Sequence, residues 1–224
     1  MKIRAMTFNI HHGQGMDGKT DIARIAREIE SVDADIIALQ EVDRFHPRSY
    51  FHDQLFRVTH KLGVHGAFAS SIHLGLTRYG NAILSRHPFL SKRVTYLQGT
   101  QERRSILTVK LDLGDCPLTV VNTHIGVFAK EKDRQFKELR KELESLDEPA
   151  LLMGDFNMLP SDPRLQNMPI GWRKIGLQEM TPTHATNGKE IDHIFRNMPV
   201  KMERTWVKFT TASDHHAVVA DIEW

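Results

Sequence analysis

The chain has one cysteine, no long apolar run and little net charge, and each of these absences excludes a class of protein. Cys116 is the only cysteine among 224 residues, so no intrachain disulfide can form and an oxidising compartment is not implied. No apolar run approaches the roughly 18 residues that a membrane span requires. The first residues alternate apolar and polar side chains, unlike the apolar segment of roughly 7–15 residues in a signal peptide. We therefore expect a cytoplasmic protein without a membrane span.

The charge balance argues against a dedicated nucleic-acid binder. Thirty basic and 28 acidic residues give a formal net charge of +2, which is compatible with a phosphate-bearing substrate but lacks a strong basic bias. The hydrophobic fraction of 40% and the charged fraction of 26% are those of an ordinary globular protein. The length fits one domain over residues 1–224, which we expect to act as a monomer.

Strand and helix patterns alternate along the chain and predict a layered α/β fold. The runs at 36–39, 118–121 and 150–153 are too apolar for surface strands, whereas Ile22, Ile25, Ile29 and Val32 mark one face of a helix. A second helix is expected at 52–62, short strands at 81–84 and 93–97, and an irregular stretch at 159–186. Because strands outnumber helices and several follow short turns, we predict two packed mixed β-sheets flanked by helices.

Five polar clusters occur where the sequence predicts strand ends. Side chains at the ends of several strands can converge on one site although they are distant in sequence, and such an arrangement suits a metal and an anion. The clusters are Thr7-Phe8-Asn9, Leu39-Gln40-Glu41, Asn122-Thr123-His124, Gly154-Asp155-Phe156-Asn157 and Ser213-Asp214-His215.

Glu41, Asp214 and Asn9 are the candidate metal ligands. A carboxylate at the end of a buried strand is costly unless it is paired or bound to a cation. Two carboxylates and an amide make an all-oxygen set, which favours a hard cation such as Mg²⁺ or Mn²⁺ over zinc. The alternative is that both acids form salt bridges with arginines.

Asp155 and Asn157 are the candidate residues for handling water. The Asp155 carboxylate could accept a proton from a nucleophilic water, while the Asn157 amide fixes that water or donates to a phosphoryl oxygen. Gly154 would allow a sharp backbone turn before them. The same tetrapeptide could instead be a turn closed by an Asx-type hydrogen bond.

Two histidines are candidates for binding a phosphate. The imidazoles of His124 and His215 can donate to a non-bridging phosphate oxygen and stabilise the charge that grows in the transition state. Asp192 is a candidate for orienting one of these rings. His193 and His216 adjoin the clusters, but the period of two in a strand turns them away, so we assign them packing roles.

Seven segments in order resemble the endonuclease/exonuclease/phosphatase superfamily, which has the DNase I-like fold. Besides the five clusters, the matching segments are Gly80-Asn81-Ala82-Ile83-Leu84-Ser85 and Ile191-Asp192-His193. The resemblance implies a four-layer αββα sandwich and hydrolysis of phosphate esters that depends on Mg²⁺ or Mn²⁺.

The resemblance also implies roles for individual residues. Glu41 would be the principal metal ligand, supported by Asn9 and Asp214. Asp155 and Asn157 would activate water, and His215 with Asp192 would act as an acid–base or phosphate-binding pair. The remaining implied residues are Asn122 and His124 as phosphate contacts and Arg104 as a substrate contact, although Arg104 could equally be a solvated charge at a strand edge.

Departures from the superfamily's patterns narrow the substrate. Abasic-site endonucleases carry a Tyr-containing segment where this chain has Asn122-Thr123-His124, and Asp-Tyr where it has Asp192-His193. Both differences argue against abasic-site repair and favour a phosphodiesterase or phosphatase. A nuclease remains the alternative and would need a basic track, for which the candidates are Arg86, Lys92, Arg93, Arg103 and Arg104. A non-catalytic phosphate-binding module is the remote alternative.

Overall fold

Strands and helices alternate along the chain, as the sequence predicts. The computed structural model describes residues 1–99, 102–114, 116–177 and 179–224. The strands are β1 (Lys2–Asn9), β2 (Ile36–Arg44), β3 (His65–Leu74), β4 (Thr77–Ser85), β5 (Phe89–Leu97), β6 (Arg104–Leu111), β7 (Leu118–His124), β8 (Ala150–Asp155), β9 (Arg173–Lys174), β10 (Asp192–Arg196), β11 (Met202–Lys208) and β12 (Ala217–Glu223). The helices are α1 (Ile22–Val32), α2 (Gln54–Leu62), α3 (Ala129–Glu144) and α4 (Pro163–Gln166), with short 3₁₀ turns at His11–Gly13 and Pro47–Ser49.

The strands form two six-stranded sheets, each of them mixed. The first sheet has the order β11-β12-β1-β2-β4-β3, and the second has the order β5-β6-β7-β8-β10-β9. Each sheet contains one parallel pair, β1 with β2 and β7 with β8, while the other neighbours run antiparallel. The prediction of two mixed sheets is therefore confirmed.

Helices cover the outer faces of both sheets, which confirms the four-layer αββα sandwich. Alternate strand residues of the two sheets meet in a buried apolar layer, exemplified by Ile36 and Ile83 of the first sheet and Leu107 and Val120 of the second. The opposite face of the first sheet packs against α1 and α2, and that of the second sheet against α3. Both sheets are thus buried on two sides, which explains their nearly continuous apolar runs.

Local capping sets the helix ends and corrects some predicted bounds. The second helix begins at Gln54 rather than at 52, because the Asp53 carboxylate caps it by accepting from the Phe56 N–H at 3.1 Å. It ends at Gly63, whose φ of 65° is the left-handed conformation that glycine favours. The predicted strands at 81–84 and 93–97 are longer, and the stretch at 159–186 contains α4 and β9, which are too short to leave a periodic pattern. In the described part of the chain, no helix is long and apolar enough to cross a membrane.

The topology brings the polar clusters to one edge of the sandwich. The parallel strands β1 and β2 run towards this edge with Asn9 and Glu41, and the parallel strands β7 and β8 reach it with His124 and Asp155. Antiparallel neighbours begin there, as β10 does with Asp192, paired with Asp155. The same edge of both sheets therefore carries the candidate residues.

Candidate active site

Asn9 links the acidic residues of the two sheets. Its side-chain Nδ2 donates to Glu41 Oε1 and to Asp155 Oδ2, both at 3.1 Å, and its Oδ1 accepts from the His11 N–H at 3.0 Å. The Ser213 hydroxyl donates to the Asn9 carbonyl at 2.8 Å. Asn9 is buried, and these bonds fix the orientation of its amide, so it holds two carboxylates in place.

Glu41 lies in a β-bulge rather than at a strand end, which corrects the prediction. Strand β2 continues to Arg44, and its pairing with β4 shifts between Leu39 and Val42. Glu41 has a φ of 61°, and a bulge of this kind re-aims a side chain without ending the strand. Its carboxylate is half-buried, and among the described residues no arginine or lysine pairs with it.

Asp155, His215 and Asp192 form a buried triad. The His215 Nδ1 lies 2.9 Å from Asp192 Oδ2, and its Nε2 lies 3.8 Å from Asp155 Oδ2. The Thr183 hydroxyl donates to the same Asp192 oxygen at 2.6 Å and accepts from the Asp192 N–H at 3.1 Å. The predicted contact between Asp192 and the His215 ring is thus present, and the imidazole lies between two carboxylates.

This arrangement raises the pKa of two members of the triad. Burial, together with the charge of Asp192, raises the pKa of Asp155 to about 7, against the opposing effects of His215 and the Asn9 amide. Burial by itself would lower the pKa of His215, but the charge and hydrogen bond of Asp192 and the charge of Asp155 raise it to about 10. At neutral pH the site therefore combines a carboxyl group near its midpoint with an imidazolium cation.

His124 is a neutral imidazole beside the triad. Burial, reinforced by the charges of Arg104 and His215, holds its pKa well below the usual range. The Arg104 Nη1 lies 2.9 Å from His124 Nδ1, and since arginine only donates, that nitrogen accepts. The ring proton then resides on Nε2, which lies 3.4 Å from Asp155 Oδ2 and 3.3 Å from the Asn157 side-chain nitrogen.

Arg104 is buried, so it is not the solvated strand-edge charge that the sequence left open. Only 9% of the residue is exposed, and its guanidinium lies between His124 and Glu102, the latter at 3.0 Å. The Arg104 Nε is buried without a hydrogen-bond partner among the described residues. A buried cation with an unpaired donor can bind an anion at this edge.

Asn157 follows Asp155 in a tight polar turn. Its backbone N–H donates to Asp155 Oδ1 at 2.8 Å, and its side chain donates to the Ile125 carbonyl at 2.9 Å. The Asx-type hydrogen bond is therefore present together with the site. Gly154 has a different role from the predicted sharp turn, because a Cβ there would lie 2.0 Å from the Thr123 carbonyl oxygen. Glycine is needed for close approach of β7 and β8.

Asn122 does not face the site, and its predicted contact with a phosphate is corrected. The residue is fully buried between the sheets. Its Nδ2 donates to the carbonyls of Leu39 at 2.9 Å and Ala82 at 2.8 Å, and its Oδ1 accepts from the Gln40 side chain at 2.8 Å. These bonds occupy the amide, so Asn122 joins the second sheet to the bulge that carries Glu41.

Asp214 lies in the loop before β12 rather than after a strand, and two histidines missed by the sequence prediction adjoin it. The His11 Nδ1 lies 3.5 Å from Asp214 Oδ1. The His184 ring packs against His215 with the ring centroids 4.6 Å apart. His11 also lies beside Glu41, since their candidate ligand atoms are within 4.8 Å. Neither histidine showed an acidic neighbour in sequence, and only the fold supplies one.

The residues present fit a divalent cation. Glu41 and Asp214 both offer carboxylate oxygens close to His11, and no arginine or lysine in the described ranges pairs with either acid. The alternative that both acids form salt bridges with arginines is thus not what the described residues show. An unpaired carboxylate beside imidazoles is a donor set that divalent ions bind.

Three of the basic residues considered for a nucleic-acid track have partners in the structure. Arg86 follows β4 at the opposite end of β2, where it pairs with Asp33 and Asp35. Arg93 pairs with Glu142 of α3 at 2.6 Å. The Arg103 guanidinium packs on the Tyr96 ring, 3.6 Å from its centroid.

His193 and His216 turn away from the triad, as the sequence predicts. The His193 Nε2 lies 2.8 Å from the Met158 carbonyl, and the His216 ring packs on Phe209.

The model of the Endonuclease/Exonuclease/phosphatase family matches residues 6–215, and the chain belongs to this family. Its members are hydrolytic enzymes that act on phosphate esters and generally use divalent metals. No curated protein matches the chain.

Solved structures share the fold along the whole chain. An endonuclease/exonuclease/phosphatase from Beutenbergia cavernae superimposes with a TM-score of 0.81 at 24% identity, covering 99% of this chain and 71% of that one. TDP2 from Caenorhabditis elegans gives 0.78 at 18% identity, covering 100% and 75%. A family protein from Leptotrichia buccalis gives 0.79 at 20% identity, covering 99% and 100%. At these identities the likeness establishes the fold.

Proposed function

We propose that the protein is a divalent-metal-dependent hydrolase of phosphate esters, a phosphodiesterase or phosphatase in which water attacks phosphorus in line. The observation that carries this proposal is the contact series Asn9–Asp155–His215–Asp192. It places a base with a pKa of about 7 within 3.8 Å of an imidazole that stays protonated at neutral pH. Perturbed pKa values that gather at one edge are typical of catalytic sites.

Asp155 is the proposed base. As the water oxygen bonds to phosphorus and the ester oxygen leaves, the water proton passes to Asp155. A base whose pKa is near the working pH is effective, because it is ionised often enough and still accepts a proton readily. The Asn157 N–H holds one carboxylate oxygen, at 2.8 Å from Oδ1, while Oδ2 faces both imidazoles. Asn157 thereby positions the base.

His215, His124 and Arg104 are proposed to bind the phosphoryl group. The His215 imidazolium, oriented by Asp192, donates to a non-bridging oxygen and stabilises its growing charge. The neutral His124 presents its Nε2 proton towards the same space. Arg104 holds this tautomer and contributes a buried positive charge. Asn122 is not proposed to touch the substrate. Its amide donates to the Leu39 carbonyl and so supports the segment that carries Glu41.

Glu41 is proposed as the principal metal ligand, supported by Asp214 and by Asn9, which fixes the Glu41 carboxylate. A bound divalent cation such as Mg²⁺ or Mn²⁺ supplies positive charge that polarises the phosphoryl group. Glu41 is suited to hold it because the bulge aims at the edge of the sheet a carboxylate that pairs with no arginine or lysine among the described residues.

Small-molecule esters are favoured over nucleic acid. Long nucleic acids require several free cations along one track, and Arg86 and Arg93 are committed to acidic partners away from the site. The site retains its acids and imidazoles, which supports catalysis over binding alone.

The test is a panel of phosphate mono- and diesters, single-stranded DNA and RNA, assayed with Mg²⁺, Mn²⁺ or EDTA. We expect hydrolysis that EDTA abolishes and that Asp155→Asn lowers by about 10²-fold or more. Asp221→Asn is the matched control, because that carboxylate pairs with Arg4 outside the site at 2.7 Å. Turnover that persists in EDTA, or in Asp155→Asn, would contradict the proposal. Preferential cleavage of the nucleic acids would replace it with the nuclease alternative.

A further inference from the structure

Two consecutive histidines, His11 and His12, lie just after Asn9 and Ile10, and the proposed chemistry of hydrolysis uses neither. His11 and His12 have φ angles of 43° and 45°, in the left-handed region that residues other than glycine rarely adopt. Gln54 of α2 links this segment to β2, next to the bulge. Its side-chain Nε2 donates to the His12 carbonyl at 2.7 Å, and its Oε1 accepts from the Asp43 N–H at 2.9 Å. These hydrogen bonds help to hold the segment beside Glu41, although the backbone conformation of His11 and His12 is unfavourable.

The two imidazoles converge with the carboxylate of Glu41. One candidate ligand atom from each of His11, His12 and Glu41 lies within 4.8 Å of the other two. The His12 Nδ1 is buried and has no hydrogen-bond partner among the described residues. The His11 Nδ1 lies 3.5 Å from Asp214 Oδ1, so His11 is close to both carboxylates proposed for the metal centre.

A packing role does not account for this arrangement. The two rings meet edge to face, with their centroids 4.4 Å apart, and the His11 side chain is one-third exposed. The nearby Arg48 does not block a cation, because the buried Asp43 carboxylate neutralises it with two hydrogen bonds of 2.8 Å. Two imidazoles and a carboxylate therefore have ligand atoms within 4.8 Å of one another, close enough to bind one ion.

We infer that His11 and His12 supply nitrogen ligands to the ion held by Glu41. The inference rests on the proposed function only in placing a metal at Glu41. Imidazole suits borderline first-row ions, whereas Mg²⁺ prefers oxygen ligands. The centre therefore binds an ion such as Fe²⁺, Co²⁺ or Zn²⁺ more tightly than Mg²⁺, with Asp214 as an adjacent carboxylate.

The first test is calorimetric titration of the full chain with Co²⁺ and, separately, Mg²⁺. We expect tighter binding of Co²⁺, and a loss of about tenfold or more in Co²⁺ affinity in the double variant His11→Asn, His12→Asn. Asparagine removes the imidazoles but tolerates the left-handed backbone. His60→Asn is the matched control, because His60 lies exposed on α2, stacked on Phe56. Equal Co²⁺ affinity in the double variant and wild type overturns the inference.

The second test uses the wild-type protein alone, so it does not depend on the folding of a variant. Proton NMR of the Co²⁺-loaded protein should show paramagnetically shifted, exchangeable imidazole N–H signals from ring nitrogens opposite the ligating ones. Their absence overturns the inference. The proposed function is judged separately by Mg²⁺-supported hydrolysis and EDTA. Hydrolysis without imidazole signals rejects the nitrogen ligands alone, whereas imidazole signals without hydrolysis reject the proposed activity alone.

Discussion

The side-chain amide of Asn9, at the end of β1, donates to the carboxylate of Asp155, at the end of β8, at 3.1 Å. The two strands belong to different sheets, so this hydrogen bond crosses the sandwich where both sheets reach the same edge. The second proton of the amide binds Glu41. The proposed base and the proposed metal ligand are therefore held relative to each other by one side chain.

Asn9→Ala should shift the acid limb of the pH–rate profile to higher pH. The Asn9 N–H stabilises the ionised form of Asp155, so its removal raises the pKa of that carboxyl above its value of about 7. A hydrogen bond to a charged group contributes about 1.5–3 kcal/mol, equivalent to a shift of about one pH unit or more. The measurement is kcat/KM against pH, with Asn167→Ala at the exposed end of α4 as control. An unmoved acid limb would show that Asp155 is not the titrating base.

Asp192→Asn should lower the pKa of His215 and the rate together. The carboxylate favours the imidazolium, and without it the pKa falls from about 10 towards or below the ordinary value, since burial then dominates. At pH 8 the ring would lose its charge, and kcat should fall by about 10²–10³-fold. NMR titration of the His215 ring measures the pKa directly. A variant whose ring keeps its pKa near 10 would refute this account, and Asp221→Asn serves as control.

Stability should fall as the pH drops from about 6.5 to 4, and His193 should account for part of this loss. Burial lowers the pKa of His193 to about 4, so the unfolded chain binds a proton that the folded chain does not. The stabilisation is fully present above the unfolded pKa and lost below it, amounting to about 2 kcal/mol by pH 5. Urea unfolding at pH 7 and pH 5 in EDTA measures the difference. His193→Gln should reduce it, and an unchanged pH dependence would exclude this source.

Gly154→Ala should destabilise the protein more than Gly188→Ala. A Cβ at Gly154 would lie 2.0 Å from the Thr123 carbonyl, whereas a Cβ at Gly188 meets nothing within 4 Å. Gly188 has a φ of 67°, in the left-handed region, and Gly154 has a φ of 152°, which residues other than glycine essentially never adopt, so both backbone strain and the clash with β7 make the loss at Gly154 larger. Clashes of this kind cost about 1–3 kcal/mol beyond the backbone strain. Urea midpoints measure both variants, and equal losses would contradict the close approach of β7 and β8 at Gly154.

The sequence predicts the layers of this fold well because burial on both faces leaves continuous apolar runs. It also predicts Asp155, Asp192 and His215 as one group, since a strand terminus marks each of them or a near neighbour. Contacts between the two sheets leave no periodic pattern in the sequence. The sequence therefore predicts Asn122 as a phosphate contact, although its amide donates to carbonyls of the opposite sheet next to the bulge.

His11 and His12 escape prediction for a different physical reason. They lie in a short 3₁₀ turn with left-handed backbone angles, and neither helical nor strand periodicity describes such a segment. Their partner Glu41 is distant in sequence, and the bulge that aims it depends on pairing between β2 and β4. Only the assembled edge places these side chains together.

The buried amide of Asn122 fixes how the two sheets align against each other. It binds carbonyls on both β2 and β4, next to the bulge, and the Gln40 side chain binds it in return. A docking displaced by one residue would leave these polar groups unpaired, at about 1–3 kcal/mol each. The strand that carries Glu41 can therefore seat against the second sheet in one alignment, so the candidate site is assembled when the two sheets dock.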